Sequence, residues 1–338
     1  MNPAVALLLA EAYGLDARSA EPAPAGTETV NHVVTGADGG RWFVKCYPPH
    51  ADLGAEERAL ELGRFAARAG VPVPLVRAGP DGRPVVRGPG AAVSVSSYVG
   101  DAETAEGGLH GGRWAAVGTA LARLHTALAR HPVGGPRAAP RAEVFEAGRS
   151  ARRLRGLIGR YGERPREGFE GWALAVARER LGLLPRVAAL AGALPARLTV
   201  QVVHGDLAAP NLLLRGAEVA ALVDFRPPRP RAAVWEIARI GCDPRTVVTR
   251  EDWPDGLARL IAAYREGRPG LPAEELAAVP RVALCALAES VHPLDVPLDR
   301  PGAVTRSLRT YALHRDRALG ILLERLPEAE LAVRKAII

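Results

Sequence analysis

Residues 203–214 have the sequence VHGDLAAPNLLL, in which a His-Gly-Asp triplet follows an apolar run and an Asn precedes the next one. A further apolar run, residues 218–223, ends at Asp224. Gly216 provides a turn between the two runs, so the pattern predicts a β-hairpin that brings Asn211 and Asp224 together. Hard oxygen ligands of this kind suit Mg²⁺, which takes one or two carboxylates plus phosphate oxygens and water. The stretch therefore predicts a magnesium site.

The composition is that of an ordinary folded protein: of 338 residues, 48% are hydrophobic and 24% are charged. The net charge is +7, but only two of the 44 basic residues are lysines, Lys45 and Lys335. Such a preference for arginine, together with abundant Ala, Gly and Pro, is typical of a GC-rich genome. The basic character is therefore weak evidence for nucleic-acid binding, and we predict no nucleic-acid partner.

The positive charge is concentrated in one region. Residues 130–200 contain 14 Arg and 6 Glu without any Asp or Lys, a net +8, whereas the rest of the chain carries −1. In a helix predicted over 143–161, a basic face is formed by Arg149, Arg152, Arg153 and Arg160, and the first three are the candidate docking residues. One interpretation is a solvated helix surface, and the other is a docking surface for an anionic substrate.

The cysteines and the apolar segments indicate the compartment. Cys46, Cys242 and Cys285 are far apart and odd in number, which suggests a reducing environment and gives no metal-site spacing. The apolar stretch 4–10 is too short to span a membrane, and no basic segment precedes it. We therefore predict a cytoplasmic protein without membrane association.

Local patterns divide the chain into a small β-rich part and a larger helical part with a few central strands. The first part is predicted to contain a helix over residues 3–14, a loop over 19–26, hairpin strands over 27–35 and 41–47, a helix over 54–69 and two strands within 71–99. The second is predicted to contain helices over residues 114–129, 143–161, 171–183, 186–194, 232–241, 253–265, 274–290 and 304–326. The predicted fold class is α+β.

Lys45 is conspicuous because it is the only lysine before residue 335, and it lies on the second strand of the predicted hairpin. Glu56, one turn before Leu60, belongs with the buried face of the next helix. A carboxylate that faces inward needs a partner, and Lys45 is the candidate. Glu57, which belongs to a charged stripe on the other face, is the alternative.

A resemblance to a known family rests on the spacing of three groups: His204-Gly205-Asp206, Asn211 and Asp224-Phe225. From about residue 26 to about residue 325, the chain resembles the aminoglycoside phosphotransferase/choline kinase family, relatives of the eukaryotic protein kinases. This resemblance implies a bilobal protein-kinase-like fold with a nucleotide-binding N-lobe over 1–99 and a C-lobe over 100–338. Arg226 follows Phe225 where protein kinases have a glycine, a place in which relatives in this family vary.

The resemblance also implies ATP and Mg²⁺ as cofactors and assigns roles to individual residues. Lys45 would pair with the α- and β-phosphates of ATP, and Glu56 would hold the lysine in place. Asn211 and Asp224 would bind Mg²⁺. Asp206 would orient the acceptor hydroxyl and take its proton.

The remaining family roles concern the nucleotide and the catalytic loop. Adenine would bind backbone groups of a hinge that includes Ser96 and Tyr98, and residues 26–31 would cover the phosphates, although that segment has a single glycine. His204 is predicted to brace the catalytic loop, whereas His125 is predicted to pack. Glu236 is predicted to pair with a neighbouring Arg and to brace the same loop.

The acceptor is left open by the sequence. A polycationic aminoglycoside would be repelled by the basic region, so an acidic metabolite or a neutral hydroxylated natural product is favoured. One alternative is a Ser/Thr kinase that acts on a precursor peptide with a partner protein, and another is an inactive kinase-fold binding module. A Walker A loop, G-x-S-x-G, H-E-x-x-H and paired C-x-x-C motifs are all absent.

Overall fold

A computed structural model describes residues 1–23, 29–162 and 167–337 of the chain. The N-terminal part contains α1 (Pro3–Tyr13), β1 (Ala17–Pro22), β2 (Val30–Gly36), β3 (Arg41–Cys46), α2 (Leu53–Arg68), β4 (Val76–Arg77), β5 (Val86–Gly88) and β6 (Ala91–Ser97). Its strands form an antiparallel sheet in the order β1-β2-β3-β6-β4, and β5 also pairs with β6.

The first strand corrects the prediction of a loop over residues 19–26. Ala20 pairs with Val34 across β1 and β2, so the segment is an edge strand. Backbone pairing with a regular neighbour decides its conformation, because its small and polar side chains do not alternate as a half-buried strand would. Residues 24–28, the remainder of that loop and part of the predicted phosphate loop, lie outside the described residues.

The C-terminal part is mainly helical. Its strands are β7 (Glu103–Thr104), β8 (Arg137–Pro140), β9 (Arg197–Val202), β10 (Leu212–Arg215), β11 (Glu218–Leu222) and β12 (Pro230–Ala232), and its first helices are α3 (Arg113–Leu128), α4 (Ala147–Tyr161), α5 (Gly168–Ala191) and α6 (Ala233–Gly241). The later helices are α7 (Pro244–Thr249), α8 (Trp253–Gly267), α9 (Ala273–Ala277), α10 (Val279–Glu289), α11 (Val296–Asp299) and α12 (Arg306–Ala336). The strands form two three-stranded sheets, β11-β10-β7 and β12-β9-β8.

Two helix predictions were wrong at prolines. The predicted pair 171–183 and 186–194 is the single helix α5, which continues through Pro185 because Leu184 and Val187 on either side of it are buried in one core. The predicted helix 274–290 is instead split at Ala278 into α9 and α10, and Pro280 lies in the first turn of α10.

Two apolar cores hold the molecule together. The smaller one lies between α1 and the N-terminal sheet and includes Leu9 and Val95. The larger one fills the helical part and also takes in Leu62 of α2. The predicted α+β architecture is confirmed, and the boundary between residues 99 and 100 stays a prediction. Among the described residues, every helix is too short or too polar to cross a membrane.

Helices α3 and α8 cross at very close range in the larger core. A Cβ atom on Gly118 would lie 2.1 Å from the carbonyl oxygen of Leu260, and one on Gly256 would lie 2.1 Å from the ring of Trp114. Glycine is therefore required at both positions, since the side of each helix that faces the other has no room for a methyl group.

Candidate active site

The predicted hairpin is confirmed. Strands β10 and β11 pair antiparallel with Leu212 opposite Leu222, and Gly216 forms the turn with a φ of 58°. The backbone N–H of Val223 donates to the carbonyl of Asn211 at 3.0 Å. Asn211 therefore lies beside the chain segment that leads into Asp224, at the open end of the hairpin.

Asn211 is oriented by the catalytic loop. Its side-chain nitrogen donates to the backbone carbonyl of Asp206 at 2.8 Å. Because this hydrogen bond uses the amide nitrogen, the side-chain oxygen is the atom that can bind a cation. This hydrogen bond closes the loop between Asp206 and Asn211 and leaves the Asn211 side-chain oxygen available as a hard ligand.

Asp224 has a left-handed backbone conformation, with a φ of 64°. Few residues other than glycine adopt it, although aspartate and asparagine tolerate it better than most. The carboxylate forms an ion pair with the ammonium group of Lys45. Partial burial works against ionisation, but Lys45 and then Arg226 more than offset it, so the pKa of Asp224 lies below its usual value.

Lys45 reaches Asp224 from β3, where it pairs in register with Ser94 and Asn31. The Lys45 side chain is 21% exposed and that of Asp224 is 52% exposed, so the ion pair lies at the solvent-accessible edge of a cleft between the sheet and the hairpin. This contact joins two residues that are 179 positions apart in the sequence. It brings the predicted phosphate ligand and the predicted metal ligand together.

The predicted partner of the lysine is corrected in this structure, because Lys45 pairs with Asp224 and not with Glu56. Glu56 lies beside Tyr47, whose hydroxyl also makes a hydrogen bond of 2.9 Å with Ser94. Glu57 pairs with Arg87 at 3.0 Å. Among the described residues, no ion pair joins either glutamate to Lys45.

Asp206 is held by two arginines. Arg226 donates to one carboxylate oxygen from Nε and Nη2, at 3.1 and 2.9 Å, and Arg239 pairs with the other oxygen. Each carboxylate oxygen can accept more than one hydrogen bond, so a hydroxyl group can still approach. The sequence analysis missed both contacts. One available signal was the three-residue spacing of Glu236 and Arg239, which places both on one side of α6.

His204 braces the catalytic loop as predicted. Its ring is buried and stacks on Phe225, with a centroid distance of 4.1 Å. Nε2 lies 2.9 Å from the carbonyl of Val223, and Nδ1 accepts from the N–H of Asp206 at 3.3 Å. These contacts fit a neutral ring with the proton on Nε2. Burial lowers the pKa of His204, which agrees with that form.

Glu236 also braces the loop, but its predicted arginine partner is wrong. The buried carboxylate accepts from the backbone N–H groups of His204 and Gly205 at 3.0 and 2.8 Å, and lies 3.1 Å from Nε2 of His125. Burial opposes its ionisation, but His125 and these amides hold the pKa of Glu236 below its usual value. His125 therefore does more than pack, because its other nitrogen lies 2.9 Å from the hydroxyl of Tyr264.

The hinge residues lie at the end of β6. Ser96 pairs with Phe43 within the sheet, and the N–H of Tyr98 donates to the carbonyl of Arg41 at 3.2 Å. The guanidinium of Arg41 also lies 4.2 Å from the centre of the Tyr98 ring. The Tyr98 amide is thus occupied by the sheet, and the adenine-binding role of the hinge stays a prediction.

The three arginines of the predicted docking surface have different surroundings. Arg149 and Arg153 both pair with Glu289, at 3.3 and 3.1 Å. Arg152 lies 3.8 Å from Glu146 on the surface, with its side chain 73% exposed. Two of the three are therefore tied into the fold by an acid from a distant helix, and only Arg153 among them lines a cavity.

That cavity has a volume of about 190 Å³ and lies in the helical part next to the catalytic loop. Ala208 and Arg239 form the side that faces Asp206, and Trp235, Tyr311 and Arg315 contribute to the other walls. Its size suits part of a small molecule, and Arg239, which pairs with Asp206, connects the cavity to that carboxylate.

The described residues do not contain three or more His, Cys, Asp or Glu side chains grouped as a metal site. Asp224 and Asn211 supply one carboxylate and one amide oxygen. That set does not make a complete cage for a cation, but it fits a metal that completes its coordination with nucleotide phosphates and water.

The comparisons with known proteins agree with this geometry. Among solved structures, the chain is similar to spectinomycin phosphotransferase in complex with ADP and spectinomycin, with a TM-score of 0.67 and 14% identity over 94% of this chain and 96% of that chain. Ethanolamine kinase from Plasmodium vivax gives a TM-score of 0.61 and 11% identity, over 94% and 88%. Amicoumacin kinase in complex with AMP-PNP, Ca²⁺ and its ligand gives 0.60 and 14%, over 94% and 92%.

At these identities the likeness concerns the fold, and it confirms the predicted bilobal protein-kinase-like architecture. No curated protein sequence matches the chain significantly. The model of the phosphotransferase enzyme family matches residues 19–276, from β1 to α9. This match confirms both the resemblance and the predicted enzyme class, and the chain belongs to the phosphotransferase enzyme family.

Proposed function

We propose that this protein is an ATP-dependent phosphotransferase that moves the γ-phosphate of ATP to a hydroxyl group of a small molecule, with Mg²⁺ as the metal. The observation that carries the proposal is the convergence of four side chains from distant parts of the chain. Lys45 contacts Asp224, the hairpin places Asn211 beside Asp224, and Asn211 is hydrogen-bonded to Asp206.

The electrostatics of the cleft support a nucleotide site. A bound metal would supply charge neutralisation of the phosphates, with Asp224 and Asn211 as its protein ligands. Lys45 would then turn from Asp224 to the α- and β-phosphates. The low pKa of Asp224 keeps its carboxylate ionised at neutral pH, as a metal ligand must be.

Asp206 is the residue proposed to contact the acceptor. Its carboxylate pairs with Arg239 of the cavity wall, and it can accept a hydrogen bond from a hydroxyl group and take the proton as the new phosphate ester forms. Arg226 and Arg239 fix the plane of that carboxylate. Phosphoryl transfer depends mainly on positioning and charge stabilisation, so a fixed carboxylate suits the reaction.

The acceptor is proposed to be a small molecule that is not polycationic. The volume of the cavity next to the catalytic loop supports a small acceptor, and the arginines that line it would repel an aminoglycoside. A precursor peptide remains the alternative that an acceptor screen tests. The complete set of Lys45, Asp206, Asn211 and Asp224 argues against an inactive binding module.

Asp206→Asn tests the catalytic assignment. We expect the acceptor-dependent kcat to fall by about 10²- to 10⁴-fold, because the carboxamide cannot accept the proton. The acceptor is first found by screening hydroxylated compounds and peptides with Mg²⁺ and ATP, and phosphorylated products are detected by mass spectrometry. Nucleotide titrations with and without Mg²⁺ are expected to give the same ATP affinity in the variant and the parent.

Asp255→Asn is the matched control, because Asp255 is an exposed aspartate on α8. It is expected to leave both kcat and nucleotide affinity unchanged. Full activity in the Asp206→Asn variant would remove Asp206 from the chemistry. The absence of Mg²⁺-dependent ATP binding in the parent protein would contradict the enzyme proposal itself.

A further inference from the structure

The cavity beside the catalytic loop has an excess of positive charge. Its lining contains four guanidinium groups and two carboxylates: Arg153, Arg231, Arg239, Arg315, Glu289 and Asp243. Both carboxylates already have partners. Glu289 pairs with Arg149 and Arg153, and Asp243 accepts hydrogen bonds from backbone amides of the catalytic loop and of α7. These contacts occupy both acids, although Glu289 also attracts Arg231 through space.

Arg231 and Arg315 have no acidic partner among the described residues, where no carboxylate lies within 4.0 Å of either guanidinium. Arg315 is only 7% exposed. Its Nη1 lies 3.3 Å from the hydroxyl of Tyr311, and its Nε has no hydrogen-bond partner in the part of the chain that the structure describes. A buried charge without a counter-charge is costly, so this wall of the cavity is built to receive an anion.

The buried charge of Arg315 has a second arginine near it. Arg180 is 1% exposed, and its closest acid, Asp316, is 3.8 Å away. Burial and the charge of Arg315 together lower the pKa of Arg180 to about 10. Arg180 is still protonated at neutral pH, so its charge adds to the positive potential around Arg315.

The aromatic ring of Trp235 orients the arginines on the other wall. The guanidinium of Arg231 lies 4.5 Å from its centre, and that of Arg239 lies 5.5 Å away. Arg239 also pairs with Asp206. The anion-binding wall is thus connected directly to the carboxylate that is proposed to handle the acceptor hydroxyl.

We propose that the acceptor carries an oxyanion group, a carboxylate or a phosphate, which Arg231 and Arg315 bind while its hydroxyl group lies at Asp206. Planar guanidinium groups match both oxyanions with paired hydrogen bonds. The location of the hydroxyl rests on the proposed function, whereas the anion site rests on the cavity alone. The acceptor is then a hydroxy acid or a phosphorylated alcohol.

Anion binding is measured on the full chain by calorimetry with inorganic phosphate and with malonate, against chloride at equal ionic strength. We expect one of the two anions to bind more tightly than chloride, and the better one identifies phosphate or carboxylate as the natural group. Arg231→Gln is expected to weaken that binding at least about tenfold, since it removes a charge-assisted contact.

Arg229→Gln is the matched control, because it removes the same charge two residues away from an exposed side chain that does not line the cavity. It is expected to bind the anion as the parent does. Arg315→Met tests whether the second arginine binds the anion. If this substitution at a buried position prevents folding, Arg231→Gln still decides the question.

Two results would overturn the anion site: binding no tighter than chloride, or unchanged binding in Arg231→Gln. Because these titrations require no turnover, their outcome is separate from that of the proposed function. Anion binding without Mg²⁺-dependent ATP binding would support the anion site and contradict the proposed kinase activity. Phosphate binding that Arg231→Gln leaves unchanged would place the anion away from Arg231 and reject the site.

Discussion

At the scale of single residues, the ion pair between Lys45 and Asp224 explains how the cleft is organised. The pair joins a partly buried ammonium group to a half-exposed carboxylate and holds the carboxylate ionised. Its contribution to stability has a defined pH dependence. Since the folded-state pKa of Asp224 lies below the value of 3.8 for an unperturbed aspartate, stability is present above that value and is lost as pH falls through the folded pKa.

Lys45→Met is expected to raise the pKa of Asp224, because the main stabilising charge is removed while the burial penalty stays. A pH titration of the Asp224 side-chain carboxyl carbon by NMR measures this shift. Lys335→Met, which changes the chain's other lysine at an exposed position, is expected to leave the titration unchanged. The same Asp224 pKa in Lys45→Met and the parent would exclude the lysine as its cause.

Sequence reasoning identified the residues whose spacing is local or whose type is rare. Asp206, Asn211 and Asp224 belong to one loop and one hairpin, and Lys45 stands out in a chain that otherwise uses arginine. Arg239 and Arg315 could not be identified in the same way. Arginine is so common here that its presence carries little information, and both act through contacts that only the tertiary structure creates.

At the scale of elements, the close crossing of α3 and α8 supports the catalytic loop. His125 of α3 forms hydrogen bonds with Tyr264 of α8 and with Glu236, which in turn binds the loop. We expect Gly118→Ala to destabilise the protein by about 1–3 kcal/mol or more, because its methyl group would meet the Leu260 carbonyl. Urea unfolding followed by circular dichroism measures the change.

Gly182→Ala in α5 provides the matched control for this substitution. A Cβ atom there meets nothing within 4 Å, so the better helix propensity of alanine is expected to stabilise the protein by up to about 1 kcal/mol. Equal stability of the Gly118→Ala and Gly182→Ala variants would show that the helices can separate at little cost.

Most elements were predictable because their hydrophobic periodicity is strong, as in α2, α3 and α8. The failures occurred where tertiary contacts override local signals. Strand β1 has a weak pattern but gains a partner strand, and α5 continues through Pro185 because the core holds both halves. Periodicity and proline positions describe a segment in isolation, so neither could show these effects.

At the scale of the whole molecule, the regional charge is redistributed by folding. Three arginines of the basic segment pair with acids from the last third of the chain: Arg149 and Arg153 with Glu289, and Arg160 with Asp299. These two acids offset part of the excess of +8 counted along the sequence. Inside the cavity, Arg231 and Arg315 add positive charge that has no acidic partner among the described residues.

Glu289→Gln is expected to tighten phosphate or malonate binding several-fold, because it removes a negative charge from the cavity wall and releases Arg153. Loss of its two partly exposed ion pairs should cost about 1 kcal/mol of stability. Calorimetry and urea unfolding measure the two effects. Weaker anion binding in this variant would mean that Glu289 serves to position Arg153 for the anion.

Because lysine is scarce, an amine-specific reagent can be used to probe the cleft through Lys45. Apart from the N-terminal amine, Lys45 and Lys335 carry the only primary amines of the chain, since guanidinium groups resist acylating reagents. Lys335 is exposed and serves as an internal reference, whereas Lys45 is engaged by Asp224. The ratio of acylation at these two amines, read from one mass spectrum, reports the occupancy of the cleft without a label, a substrate or an assay of turnover.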